Sequence, residues 1–82
     1  MMSTDSSKYL QIGQLAEITG VSVQTLRYYG RIGILLPDYT DEYNSYRYYH
    51  RSAISRISNI KLLQGSGFSL KEIQEILKED SL

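Results

Sequence analysis

Two short helical patterns that meet at Gly20 constrain the fold of this chain more than any other sequence feature. In the first pattern, apolar residues recur at helical spacing in Ile12, Leu15 and Ala16. Gly20 then supplies the flexible backbone with which many helices end, and Ser22 is a good N-cap for a second helix. The apolar stripe of that second helix consists of Val23, Leu26 and Gly30. Two short helices joined by a few residues that include glycine are typical of a helix-turn-helix.

The segment after the second helix predicts a β-hairpin. Gly33 ends the helix, and Pro37 lies in an extended stretch that cannot continue it. Residues 38–49 read DYTDEYNSYRYY, in which a polar turn at 41–45 is flanked by tyrosine-rich sequence that favours β-structure. We interpret this segment as a small hairpin, or wing.

Two further helices are predicted after the wing. The third has the apolar stripe Ala53, Ile54, Ile57, Ile60 and Leu63. It stops at the glycine-rich cluster 65–67, and the fourth helix opens at Ser69, which forms a capping box with Glu72. The fold class that we predict is mainly α, a winged helix-turn-helix of four helices with a small β-hairpin wing. Its core is expected to contain Leu15, Leu26, Ile57, Ile60, Leu63 and Ile73.

With 82 residues the chain is predicted to form one small domain over residues 10–80, after a flexible leader over 1–9. The absence of cysteine excludes disulfides, zinc ribbons and thiol chemistry. No run approaches the roughly 18 apolar residues of a membrane span, and the first residues lack the features of a signal peptide. We therefore expect a soluble cytoplasmic protein that needs no metal or other cofactor.

The charge is balanced overall but unevenly distributed. The net charge is zero, which by itself argues against binding to nucleic acid. Residues 21–66 nevertheless carry six basic side chains against three acidic ones, and five of the six are arginine. The arginine guanidinium is a planar fork that matches a phosphate or a guanine edge. The distribution therefore allows nucleic-acid recognition, although a solvated surface explains the charge equally well.

One face of the second helix carries polar side chains that suit a DNA major groove. These side chains are Gln24, Arg27, Tyr28 and Arg31. Glutamine can read adenine and arginine can read guanine, and each well-made pair discriminates by about 1 to 3 kcal/mol. At the start of the same helix, the hydroxyl of Ser22 and the free backbone amides could bind a phosphate. The alternative is ordinary solvation of a helix face.

Five of the eight tyrosines lie in or beside the predicted wing, namely Tyr39, Tyr43, Tyr46, Tyr48 and Tyr49. A tyrosine hydroxyl can donate to a phosphate oxygen, and Arg47 between two of these rings adds a charge-assisted contact. The structural alternative is that alternate rings cap the core, either Tyr46 with Tyr48 or Tyr39 with Tyr49. We expect about half of the five to be structural.

These motifs resemble the N-terminal DNA-binding domain of MerR-type transcription regulators. The resemblance covers nearly the whole chain and is most specific in two runs, Leu26-Arg27-Tyr28-Tyr29 and Ser45-Tyr46-Arg47-Tyr48-Tyr49. Within the family, the sequence most resembles the multidrug-responsive branch. The resemblance implies sequence-specific binding of double-stranded DNA at a promoter, with the second helix in the major groove and the wing on the phosphate backbone.

The resemblance also implies which residues contact DNA and which partners the full-length protein has. The predicted contact residues include the polar stripe of the second helix. They are Ser22, Gln24, Arg27, Tyr28, Arg31, Tyr46, Arg47, Tyr48 and Gln64. Family members bind a pseudo-palindromic promoter site as homodimers, joined by a C-terminal coiled coil, and act on RNA polymerase indirectly by distorting the DNA. That coiled coil and the effector domain are not within these 82 residues, so we expect the isolated domain to be mostly monomeric.

The chain departs from the family pattern at two positions. Gly30 stands where an acidic residue is usual, and it weakens the end of the second helix by up to about 1 kcal/mol relative to alanine. His50 stands near the start of the third helix, where a hydroxyl or acidic cap is typical. We expect His50 to serve as an improvised cap or as a neighbour of a phosphate.

Other classes of function fit the sequence less well. One histidine, no cysteine and an acidic helix face at Glu72, Glu75 and Glu79 offer no plausible catalytic site, so we predict that the protein is not an enzyme. A protein-interaction module could use the same tyrosine and arginine surface. An excisionase-like architectural protein that bends DNA is a further alternative.

Overall fold

The computed structural model describes residues 8–80, with side chains described as far as Lys78. The elements of the chain are β1 (Tyr9–Gln11), α1 (Ile12–Thr19), α2 (Val23–Ile32), β2 (Tyr39–Thr40), β3 (Arg47–His50), α3 (Ala53–Gly65) and α4 (Leu70–Asp80). The four helices and the hairpin confirm the predicted fold class. The predicted leader lies outside the described residues except for Lys8 and Tyr9, and Tyr9 begins a strand. Within residues 8–80, no helix is both long and apolar enough to cross a membrane.

Local caps at the ends of α1 and α2 determine the turn between them. α1 ends at Gly20, whose φ of 76° lies in the left-handed region and whose backbone N–H donates to the Ala16 carbonyl at 2.9 Å. Ser22 caps α2, because its Oγ accepts a hydrogen bond from the Thr25 backbone N–H at 3.0 Å. α2 in turn ends at Gly33, which has a φ of 83°. The predicted helix-turn-helix is therefore confirmed.

The beginning of α4 also follows the sequence prediction, whereas a cap on α3 by His50 is not formed. The Ser69 Oγ accepts a hydrogen bond from the Glu72 backbone N–H at 3.1 Å, and Glu72 Oε1 accepts one from the Ser69 N–H at 2.9 Å. This reciprocal pair is the predicted capping box. Before α3, the Nδ1 of His50 accepts a hydrogen bond from the Ser52 backbone N–H at 3.1 Å. His50 therefore binds the backbone of the N-cap residue Ser52 but does not cap α3 itself, because no side-chain cap hydrogen bond is formed there.

The wing belongs to a sheet of three strands, one of which the sequence pattern does not reveal. β3 pairs antiparallel with both β1 and β2, so the strand order is β1-β3-β2. Leu10 in β1 lies opposite Tyr49 in β3. At the tip of the hairpin, Asp41 Oδ1 accepts hydrogen bonds from the backbone N–H groups of Tyr43 and Asn44. β1 therefore fastens the wing to the helical part of the domain.

The core lies between the helices and the inner face of the sheet. Its buried side chains are Leu10, Leu15, Leu26, Tyr29, Ile34, Leu35, Tyr49, Ala53, Ile57, Ile60, Ile73 and Leu77. Five of the six predicted core residues are among them, and the sixth, Leu63, is partly buried against the cluster. The prediction omitted Tyr29 and Tyr49, which bring two phenol rings into the core.

Side chains of α3 and α4 satisfy carbonyl groups at the ends of α1 and α2. Lys61 Nζ donates to the Thr19 carbonyl at 2.9 Å, and Gln74 Nε2 donates to the Ile32 carbonyl at 2.9 Å. Arg56 donates in the same way to a carbonyl in the loop after α2. The last carbonyls of a helix have no partner within the helix, so these donors supply the missing hydrogen bonds. They also hold the helix-turn-helix against the C-terminal helix pair.

Gly30 lies inside α2, where helix propensity favours a residue with a side chain. A Cβ at this position would meet the Leu35 carbonyl oxygen at 3.7 Å, which is ordinary van der Waals contact. Gly30→Ala is therefore expected to raise the free energy of unfolding in urea by up to about 1 kcal/mol. Gly33→Ala is a control with the opposite sign, because the φ of Gly33 is 83°. Loss of stability in Gly30→Ala would show that the neighbouring backbone cannot accept a methyl group.

Candidate nucleic-acid interface

The exposed face of α2 carries the polar stripe that the sequence predicts. All four side chains of the stripe are exposed: Gln24, Arg27, Tyr28 and Arg31. On the other face of the helix, Leu26 and Tyr29 are buried in the core. α2 therefore packs with one face only, and the polar face is free to meet a ligand.

Arg31 and Tyr28 contact each other on this exposed face. The Arg31 Cζ lies 5.6 Å from the centroid of the Tyr28 ring, and 43% of Tyr28 remains exposed. A cation–π contact at an exposed site contributes about 0.5 to 1 kcal/mol. The contact restricts both side chains without removing them from the surface.

The hydroxyl of Ser22 is engaged in capping α2. It accepts a hydrogen bond from the Thr25 backbone N–H and donates one to the Thr25 Oγ1, both at 3.0 Å. Its structural role is therefore clear in the free protein. A contact between Ser22 and a phosphate stays a prediction.

The wing places Arg47 and Tyr48 on opposite faces of the sheet. Successive side chains of a strand alternate between the two faces. Tyr49 lies in the core, so Arg47, two residues earlier, is on the same inner face. Tyr48 lies on the outer face, where its ring stacks on Tyr39 with the ring centroids 4.8 Å apart. Arg47 is therefore directed towards α2.

Both pairings that we considered for the wing tyrosines are wrong. Neither Tyr46 nor Tyr48 caps the core. In the other pair only Tyr49 is buried, because Tyr39 lies on the outer face, where it is the partner of Tyr48. Tyr49 alone among the five belongs to the core. Tyr46 is about half exposed, and Tyr43 at the tip of the wing is 96% exposed. The physical reason is register, because a shift of one residue exchanges the two faces of a strand.

Tyr48 is the most firmly held of the predicted contact residues in the wing. Its ring is half-buried, and its hydroxyl accepts a hydrogen bond from Gln11 Nε2 at 3.2 Å. Tyr9 packs edge-on against Tyr39, with the centroids 5.4 Å apart, and extends the same aromatic layer. Tyr48 therefore stabilises the sheet, and its contact with DNA stays a prediction.

A groove of about 440 Å³ runs between α2 and the wing. Its lining residues are Gln11, Ile12, Arg27, Ser45, Tyr46 and Arg47. Three of the predicted contact residues are thus brought together from two separate parts of the chain, which sequence spacing alone could not establish.

A second groove, of about 410 Å³, lies beside the first and includes Arg31 in its lining. Arg27 and Arg47 line both grooves, and we call these two residues the arginine pair. Within residues 8–78, neither arginine forms an ion pair with a carboxylate. The arginine pair therefore presents uncompensated positive charge next to the exposed face of α2.

Gln64 lies near the end of α3 and is tied to α2 by Tyr29. The Tyr29 hydroxyl donates to Gln64 Oε1 at 3.3 Å, while the Gln64 side chain remains exposed. The sequence analysis did not predict that Tyr29 supports Gln64. Its position three residues after Leu26 is the signal that places it on the inner face of α2. The predicted contact between Gln64 and the DNA backbone stays a prediction.

Burial perturbs two of the tyrosines. It raises the pKa of the Tyr29 hydroxyl above its ordinary value. It also raises the pKa of Tyr49, and the nearby charges of Arg47 and Arg27 offset part of that increase. Both hydroxyls are therefore neutral at neutral pH, so Tyr49 does not compensate the charge of the arginine pair.

Comparison with known proteins identifies relatives over nearly the whole domain. Residues 10–80 match the MerR HTH family regulatory proteins. The mercuric resistance operon regulatory protein of Serratia marcescens is 44% identical over 71 residues, which are 87% of this chain and 49% of that protein. The multidrug-efflux transporter 1 regulator of Bacillus subtilis is 37% identical over 67 residues, which are 82% of this chain and 24% of that protein. The chain thus spans half or less of the length of these curated relatives.

Solved structures share the fold. The N-terminal part of the Bacillus subtilis multidrug transporter activator, MtaN, is 38% identical with a TM-score of 0.77, covering 83% of this chain and 63% of that chain. HiNmlR, a MerR family regulator lacking the sensor domain and bound to promoter DNA, is 30% identical with a TM-score of 0.74. That match covers 85% of this chain and 52% of HiNmlR. The relatives and solved structures named above are transcription regulators and not enzymes.

Proposed function

Because this chain belongs to the MerR family of helix-turn-helix regulatory proteins, we propose that it regulates transcription by binding double-stranded promoter DNA through α2 and the wing. The observation that carries this proposal is the arginine pair, which lines both grooves between α2 and the wing, next to the polar face of α2. Uncompensated guanidinium groups on a surface attract phosphate, and α2 offers side chains that can distinguish bases. A regulator of this kind works at the nucleoid, in the cytoplasm.

α2 is suited to the major groove. Gln24 lies in its first turn, and the N-terminal residues of a recognition helix are those that contact base edges. Its amide can form a bidentate pair with adenine. Tyr28 and Arg31 follow on the same exposed face and hold each other in place. We assign Gln24 to base reading, and Tyr28 and Arg31 to contacts deeper along the groove.

The wing and the end of α3 are suited to the phosphate backbone. Arg47 and Tyr46 line the groove between α2 and the wing, where a guanidinium and a phenol can both donate to phosphate oxygens. Gln64 is exposed at the end of α3 and carries amide N–H groups that can donate to the backbone. Contacts of this kind position the protein on the duplex without reading its sequence.

We further propose that the domain acts as one half of a homodimer when it is joined to a C-terminal coiled coil. Two copies would then bind the two halves of a pseudo-palindromic promoter site and affect RNA polymerase through the shape of the DNA. HiNmlR supports binding to a promoter without a sensor domain, because it lacks that domain and is bound to promoter DNA.

The function is tested by fluorescence anisotropy of a labelled mixed-sequence duplex, titrated with the protein at several salt concentrations. The logarithm of the association constant is expected to fall linearly with the logarithm of the salt concentration, by about 0.9 for each phosphate neutralised. A slope of several units supports phosphate binding by the arginine pair. If no binding occurs at low salt even after fusion to a dimeric coiled coil, the proposal is wrong.

A further inference from the structure

The hydroxyl of Tyr49 is a buried polar group without a hydrogen-bond partner of ordinary geometry among residues 8–78. No part of Tyr49 is exposed to solvent. An unpaired buried hydroxyl costs free energy, and most buried polar groups in native proteins are satisfied. Because a phenylalanine ring would fill the same space, packing does not explain why this position carries a hydroxyl.

The charged groups that act on this hydroxyl are those of the arginine pair. Arg47 lies on the same face of β3 as Tyr49, and its interaction with the hydroxyl lowers the pKa that burial raises. Arg27 acts on the hydroxyl electrostatically from α2. The Tyr49 oxygen is therefore an available acceptor at the base of the arginine pair.

The arginine pair itself lacks an anion. Two positively charged side chains that line the same grooves repel each other, and no carboxylate within residues 8–78 forms an ion pair with them. A phosphate group has enough oxygen atoms to accept hydrogen bonds from two guanidinium forks at once. It would remove the repulsion and complete the site.

We propose that Tyr49 is a positioning residue: in the complex with DNA its hydroxyl accepts a hydrogen bond from Arg47 and directs that guanidinium, together with Arg27, onto a single phosphate group of the DNA backbone. This inference rests on the proposed DNA-binding function and adds a specific geometry to it. One phosphate shared by α2 and the wing fixes the position of the recognition helix relative to the wing on the duplex.

The first test is a double-mutant cycle on binding to duplex DNA. Tyr49→Phe is expected to weaken binding about 3- to 10-fold while the thermal unfolding midpoint stays the same or rises, because the change removes only an unpaired hydroxyl. In an Arg47→Ala background, the same change is expected to have no further effect. Tyr43→Phe, at the exposed tip of the wing, is the matched control and is expected to bind as the wild type does. Wild-type affinity in Tyr49→Phe, or additive losses in the double variant, would overturn the positioning role.

The second test separates this inference from the function on which it rests. Inorganic phosphate is titrated into the wild-type protein, and the guanidinium signals of Arg27 and Arg47 are followed by NMR. Both signals are expected to shift together with one dissociation constant, and Tyr49→Phe is expected to weaken the shift of Arg47. If both signals shift together but DNA does not bind, the proposed function fails and the shared phosphate site stands. Independent shifts, or none, overturn the shared site whether or not DNA binds.

Discussion

Leu26→Ala is expected to lower the free energy of unfolding by about 2 to 5 kcal/mol, the largest change in stability that we predict for this domain. Leu26 is fully buried on the inner face of α2, opposite the polar stripe. Truncation removes its apolar contacts and leaves a cavity that the surrounding helices close only in part. Because a domain of this size has a stability of only several kcal/mol, a substantial fraction of the variant should be unfolded at room temperature. Denaturation in urea, followed by circular dichroism, measures the effect.

Ile18→Ala is the matched control for this prediction. Ile18 lies on α1 and is 52% exposed, so its truncation is expected to change the stability by no more than about 0.5 kcal/mol. A near-neutral result for Leu26→Ala would mean that α2 is rotated about its axis. The polar stripe would then face the core, and the proposed interface would be lost together with the packing.

Arg47→Ala is expected to weaken binding to duplex DNA about 10- to 100-fold at low salt, because it removes a charge-assisted hydrogen bond to phosphate. The loss should be the same on a selected binding site and on a mixed-sequence duplex, since a phosphate carries no sequence information. The slope of log association constant against log salt should decrease in magnitude by about one unit. Anisotropy titrations at several salt concentrations measure both quantities.

Lys78→Ala removes one positive charge from an exposed position on α4 and serves as the control for long-range charge. It is expected to leave both the affinity and the salt slope nearly unchanged at physiological salt, where charges more than about 8 Å away are screened. An unchanged slope in Arg47→Ala would exclude Arg47 from the phosphate contacts. A loss confined to the selected site would instead indicate that Arg47 reads a base.

The helices could be predicted from the sequence because their boundaries are determined locally. Gly20 and Ser22 lie within three residues of each other, and their backbone angle and side-chain cap decide where one helix ends and the next begins. The capping box between Ser69 and Glu72 is equally local. The exposed stripe of α2 follows from the same helical period.

The sheet could be predicted only in part because its pairing is not local. β1 has three residues, too few for an alternating pattern, and it becomes a strand only by pairing with β3 far along the chain. The same dependence on register misplaced the wing tyrosines, because alternation alone does not say which face is buried. The arginine pair was out of reach for a related reason, since α2 and the wing bring Arg27 and Arg47 together only in the folded domain.

The side-chain hydrogen bonds that complete α1 and α2 have a consequence for the order in which the domain can be built. Lys61 and Thr19 are 42 residues apart, as are Gln74 and Ile32. Synthesis starts at the N-terminus, so α1 and α2 leave the ribosome before the donors for their last carbonyls have been made. Contacts between distant segments also form late because loop closure costs entropy. A nascent chain that ends before Gln74 therefore contains all of α2 but lacks the donor for its last carbonyl and the core residue Leu77, so the domain becomes complete only when α4 has been synthesised.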